Sequence, residues 1–135
     1  MSEELIREIV KRKQLADEAF NNYVEFYKKG ELVKASEFLW GVVNNLTYAL
    51  GLFDGLKLSK HQKIIDYLKM LAISMDDKAM TDEVQAVRIL HANFYHDFLS
   101  NEQFEYYTKL AESLINKLAR MLYDRFRETF HKELP

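Results

Sequence analysis

Cysteine is absent from the 135 residues, which excludes disulfides, thiolate catalysis and cysteine-based zinc sites. A chain without disulfides suits a reducing compartment, and a cytoplasmic location is expected. Proline occurs once and glycine four times, leaving few points at which a helix must stop. No apolar run approaches the roughly 20 residues that span a bilayer, so no membrane association is expected. The opening Met1-Ser2-Glu3-Glu4 is acidic and has no apolar signal core. Net charge is −2 and the pI about 6.1, which is not the footprint of a protein that coats nucleic acid. A local basic groove is compatible with that total.

What is abundant is apolar and aromatic surface: 48% hydrophobic residues, with eight tyrosines and nine phenylalanines. That is enough for a packed core, and the length fits a single domain over residues 1–135.

Apolar residues recur at helical spacing throughout. Leu5, Ile9, Ala16, Ala19, Phe20, Tyr23 and Tyr27 make one stripe, broken by a polar gap at Arg12, with Ser2 as N-cap and Gly30 as the C-terminal stop. Leu32, Ser36, Leu39, Val43, Leu46 and Leu50 form a second seam, with Gly51 and Gly55 bracketing the break after it. Ser59 and Gln62 read as a capping box for a third helix buried through Ile64, Ile65, Leu68, Leu71, Ala72 and Met75. Thr81 is the expected cap of a fourth helix with the stripe Val87, Leu90, Phe94 and Phe98. A second capping box, Ser100 with Gln103, opens a last helix that runs to about Phe130. No segment alternates with period two. The expectation is an all-α, antiparallel up-and-down bundle of about five helices.

Among residues that can carry chemistry, Arg88, His91 and Tyr95 stand at i, i+3 and i+7 and share one helix face. An imidazole beside a guanidinium and a phenol suits acid–base work on a phosphodiester, with His moving the proton and Arg steadying negative charge. The same residues also fit a hydrogen-bonded core edge, a common place for histidine. His91 and His96 are five apart and point to different faces, a poor metal pair. No HExxH, carboxylate-rich metal motif or phosphate-binding glycine loop is present, so no metal or other cofactor is expected. Glu37, Trp40 and Asn44 share a face of the second helix, with Glu37 placed to pair with His61 or Arg88. Arg125 and His131 match a loose ribonuclease-like spacing, but so short a pattern arises easily by chance. Lys11-Arg12-Lys13 and the basic residues Arg120, Arg125, Arg127 and Lys132 read as solvated helix surface.

Three blocks, in order, resemble the archaeal PaREP family in its first-numbered branch: Gly30-Glu-Leu-Val-Lys-Ala35-Ser36-Glu37-Phe-Leu-Trp40-Gly41, then Ser59-Lys-His61, then Leu90-His91-Ala92-Asn93-Phe94-Tyr95. That family is similar to the HEPN superfamily of helical bundles, which includes ribonucleases, toxins with nucleotidyltransferase-type antitoxins, and silent binding members. The resemblance implies an HEPN-like bundle and places the superfamily's Arg–His pair at Arg88 and His91. Here their spacing is shorter than usual, and Ile89 stands where an Asn or Asp commonly follows the Arg.

Three functions follow as expectations. The first is a non-catalytic module, acting as a homodimer, that binds RNA or a protein partner such as a nucleotidyltransferase-type protein. The second is a metal-independent ribonuclease or toxin using Arg88, His91 and Tyr95. The third is a small-ligand or nucleotide pocket lined by Glu37, Trp40, His61, His91 and Tyr95, with Asn93 as a further binding candidate.

Overall fold

The computed structural model describes residues 1–133, with side chains through Phe130. Five helices make up the described chain: α1 (Glu3–Lys28), α2 (Leu32–Phe53), α3 (His61–Ser74), α4 (Lys78–His96) and α5 (Asn101–Glu133). No strand occurs among the described residues.

Helix ends follow local chemistry. Ser2 accepts a hydrogen bond from the Leu5 amide and caps α1. Gly30, at φ +77°, closes α1 in a Schellman motif, with Gly30 N–H donating to Tyr27 and Glu31 N–H to Phe26. The same motif ends α2 at Gly55 and α3 at Asp76, the latter a non-glycine residue in the left-handed region. Ser100 and Gln103 exchange the two hydrogen bonds of a capping box at the start of α5, as their spacing predicts.

Three boundaries differ from the sequence reading. Asp77, not Thr81, caps α4 by accepting from the Met80 amide. The αL turn at Asp76 reverses the chain at once, and burying Met80 draws the next residues into helix. Lys60 rather than Ser59 stands at the start of α3, no side chain caps that helix, and Gln62 donates forward to Asp66. Gly51 lies inside α2, where a Cβ would fall 2.6 Å from a Leu58 methyl, so this glycine admits the returning α2–α3 connection rather than ending the helix.

One core draws on all five helices, with Ile9, Leu39, Val43, Ile65, Leu68, Met80, Leu90, Phe104, Leu114 and Leu118 fully buried. Each such side chain contributes roughly 1.5–3 kcal/mol by leaving water. Between α1 and α2, Arg12 meets Asn45, Ala19 faces Gly41 and Phe26 stacks on Phe38, so one number rises as the other falls. Between α4 and α5, Asp77 meets Lys117 and Glu83 meets Ser113 in the same opposed sense. Met75 and Phe98, read as core, are instead 57% and 53% exposed, because both fall just past the ends of their helices. Among the described residues no helix is long and apolar enough to cross a membrane.

Candidate functional site

Four helices and one connection converge on one cleft. Arg12 comes from α1, Trp40, Asn44 and Tyr48 from α2, Leu58 to Lys60 from the α2–α3 connection, His61 from the first turn of α3, and His91 from α4. The cleft holds about 280 Å³. Its floor is Trp40, only 7% exposed and fixed by its place on the buried seam of α2.

Both imidazoles pack on that indole, His61 with ring centroids 4.8 Å away and His91 at 4.7 Å. They also stack on each other at 5.2 Å, with planes 22° apart. Tyr95 sets its ring against His91 in an edge contact at 5.3 Å, and is itself largely exposed. His61 is the accessible member of the stack, while His91 is half-buried.

Burial acts on these groups in one direction, toward neutrality. It lowers the affinity of His91 for a proton. It does the same for His61, helped by the charges of His91 and Arg88. It raises the Glu37 carboxyl. Glu37 Oε2 stands 3.6 Å from His91 Nδ1, beyond hydrogen-bond length, and both atoms are buried without a hydrogen-bond partner. Glu37 thus faces His91, not the His61 or Arg88 that the sequence suggested.

Arg12 lies at the opposite wall. Its guanidinium sits 3.7 Å from the Tyr48 ring centroid, donates to Asn45 Oδ1 at 3.3 Å and approaches Glu8 at 3.5 Å, while Nε has no hydrogen bond. Lys60 is exposed at the rim, beside the uncapped first-turn amides of α3. A partly enclosed site with cations, an open helix N-terminus and stacked aromatic rings is suited to a planar, anionic ligand.

The structure brings together Glu37, Trp40, His61, His91 and Tyr95. Arg88 is exposed and contributes to this cluster through its charge on His61. Asn93 is elsewhere in role: it is 2% exposed, its Oδ1 accepts from the Phe98 and Leu99 amides, and its Nδ2 donates to Ser36. It holds the end of α4 to the next connection and to α2. Arg125 pairs with Asp54 at 2.9 Å, which also accepts from the Tyr67 hydroxyl, so it ties α5 to the end of α2. The side chain of His131 lies outside the described residues. Among the described residues no three His, Asp or Glu side chains converge to hold a metal ion.

Sequence reasoning missed Arg12, Tyr48 and Lys60. The signal for Arg12 was the polar gap it makes in the apolar stripe of α1, a position that faces the neighbouring helix.

Comparison with known proteins gives no match among curated proteins or solved structures. The family model of the archaeal PaREP1/PaREP8 family matches residues 11–115, which take in every residue of the cleft. With that match over most of its length, the chain belongs to the archaeal PaREP1/PaREP8 family.

Proposed function

We propose that this protein is a non-catalytic helical binding module whose cleft takes single-stranded nucleic acid, one phosphodiester lying among Arg12, Lys60 and the first turn of α3. The observation that carries this reading is the exposed His61 ring, stacked on His91 and packed at a tilt on Trp40, in a cleft that Arg12 and Lys60 also line. Stacking platforms next to a basic groove are how proteins hold single strands without reading sequence. The fold proposed for it is a single-domain, antiparallel, HEPN-like bundle, supported by the opposed pairings of α1 with α2 and of α4 with α5. A cytoplasmic homodimer is proposed with it. Exposed Tyr95 and Phe98, at the end of α4, supply apolar surface that a second copy would cover.

The test is a titration with an oligouridylate of roughly ten nucleotides, followed by the emission of Trp40, the one tryptophan in the chain. Saturable quenching is expected, weakening with salt. Arg12→Ala and Lys60→Ala each weaken binding by about tenfold or somewhat more, the low end for loss of a charged hydrogen bond at a site partly open to water. Absence of quenching, or binding indifferent to both variants, ends the reading.

A second reading, a metal-independent ribonuclease, draws on His91. Its Nδ1 is buried 3.6 Å from Glu37, so a small closure of the cleft on substrate would let that carboxyl orient the imidazole for proton transfer. Incubating native protein and His91→Ala with single-stranded RNA and a chelator decides it. Cleavage by the native protein alone supports catalysis, and intact RNA in both samples leaves binding as the function.

A further inference from the structure

We propose that the cleft captures a phosphodiester together with one proton, taken up by one ring of the stacked His61–His91 pair. The inference rests on the nucleic-acid reading above and adds how binding at that site is regulated.

The geometry supplies the argument. Two imidazole rings 5.2 Å apart and nearly parallel stack well when neutral, or when one is charged. Two positive charges face to face at that distance repel, so the pair takes up one proton and not two. The charged and titratable groups facing the stack come from every element around it: Arg12 from α1, Glu37 and Tyr48 from α2, Lys60 from the connection, Arg88 and Tyr95 from α4. Three of these are cations and one is a carboxylate. With the cleft empty, burial disfavours the charged form of both imidazoles, and at His61 the charges of His91 and Arg88 add to it.

A bound phosphodiester reverses that balance. Its negative charge gives the stack a counter-ion at close range, which favours the imidazolium that burial opposes. Neither the diester phosphate nor uracil titrates between mildly acidic and neutral pH, so any proton taken up on binding belongs to the protein. Affinity for the strand therefore rises as pH falls.

The experiment is calorimetric titration of the full chain with the same oligouridylate in two buffers of different ionisation enthalpy. Uptake of close to one proton per cleft is expected near pH 6.5, about the free imidazole value, fading toward pH 8. Affinity should tighten by roughly three- to tenfold per pH unit between about pH 7.5 and 5.5, tenfold being the limit for one linked proton. In a His61→Gln, His91→Gln double variant the uptake and the slope disappear. The single His61→Gln variant changes an exposed residue, so it keeps the test open if the double variant folds poorly, and it too should flatten the slope. Affinity that does not change with pH, or uptake that persists in the double variant and so belongs to Glu37, overturns the proposal. An oligonucleotide that fails to bind at any pH overturns the nucleic-acid reading beneath it.

Discussion

Helix α4 carries two polar clusters, about 12 Å apart along its axis by the helical rise, and they differ in how their polar atoms are answered. Glu83 is buried against α5, with its carboxylate accepting from Ser113 and pairing with Lys117 at 2.9 Å. Lys117 also reaches Asp77 at 2.8 Å. His91, two turns later, has Nδ1 buried 3.6 Å from a Glu37 oxygen with no hydrogen bond to either atom, whereas Glu83 Oε1, likewise without a hydrogen bond, has the Lys117 ammonium at 2.9 Å as its ion-pair partner. A buried polar network whose members answer one another fixes a fold. A half-open cluster that leaves donors and acceptors unanswered keeps capacity for a ligand, and that contrast underlies the binding role proposed for this end of α4.

The contrast breaks most visibly at Glu83. Removing it leaves Lys117 with Asp77 alone and Ser113 without its acceptor, so Glu83→Ala should cost about 2 to 3 kcal/mol, at or below the lower end for a broken buried pair because the ammonium keeps one carboxylate and partial access to water. Urea unfolding measures this, and a loss below about 1 kcal/mol would show the network to be dispensable. Oligouridylate affinity of the folded variant should stay as in the native protein. Arg12→Met is the converse change. It removes a cation whose long contacts to Asn45 and Glu8 are partly open to water and keeps apolar volume over the Tyr48 ring, so stability should move by less than about 1 kcal/mol while oligouridylate affinity drops.

Asn93 tests whether position in the sequence or satisfaction of polar atoms decides a role. It lies two residues from His91 in a block that suggested binding, yet its amide makes three hydrogen bonds within the fold. Asn93→Ala should destabilise by about 2 kcal/mol, since the Phe98 and Leu99 amides lose their acceptor where water has limited access. It should leave the quenching of Trp40 by oligouridylate unchanged at saturation. A stable variant with defective binding would return Asn93 to the site.

Much of this was legible in the chain, and the rest has identifiable causes. The caps at Ser2 and Ser100 and the stop at Gly30 depend on residues within one turn, so local sequence decided them. Thr81 reads as the cap, but Asp77 takes that place because of the αL turn at Asp76 and the burial of Met80, which only packing decides. Gly51 read as a breaker because the sequence does not reveal Leu58 folding back onto it. In the candidate site, Glu37, Trp40, His61 and His91 were picked out from three separate helices, and their meeting is a tertiary fact. Arg12 was passed over because a basic triplet normally faces water. Its place in the α1 stripe, between Ile9 and Ala16, was the stronger signal.

The smallest effect sharpens the comparison along the pH axis. In the α4–α5 network the hydrogen bond from Lys117 holds Asp77 below its ordinary 3.8. Burial opposes the charge on Lys117, but hydrogen bonds to Asp77 and Glu83 more than offset it and raise the group above 10.5. The Asp77 contribution is therefore lost only as pH falls through its lowered value, and the Lys117 contribution only as pH rises through its raised one. Between about pH 5 and 8 neither changes. In the cleft the signs are reversed and the window is central. The folded pKa of His91 lies below 6.5, so the unfolded chain takes the proton first and stability falls as pH drops through 6.5. The folded pKa of Glu37 lies above 4.5, so its contribution is present below 4.5 and is lost as pH rises through the raised value. Urea unfolding across this range should show native protein losing stability relative to His91→Gln as pH falls from about 7.5 to 5.5, and gaining relative to Glu37→Gln as pH falls further. Each difference should stay below about 1 kcal/mol because both groups are partly open to water. A native profile parallel to both variants would mean that the two groups are as well solvated as in the unfolded chain, and the unanswered atoms of the cleft would then hold no electrostatic reserve for a ligand to draw on.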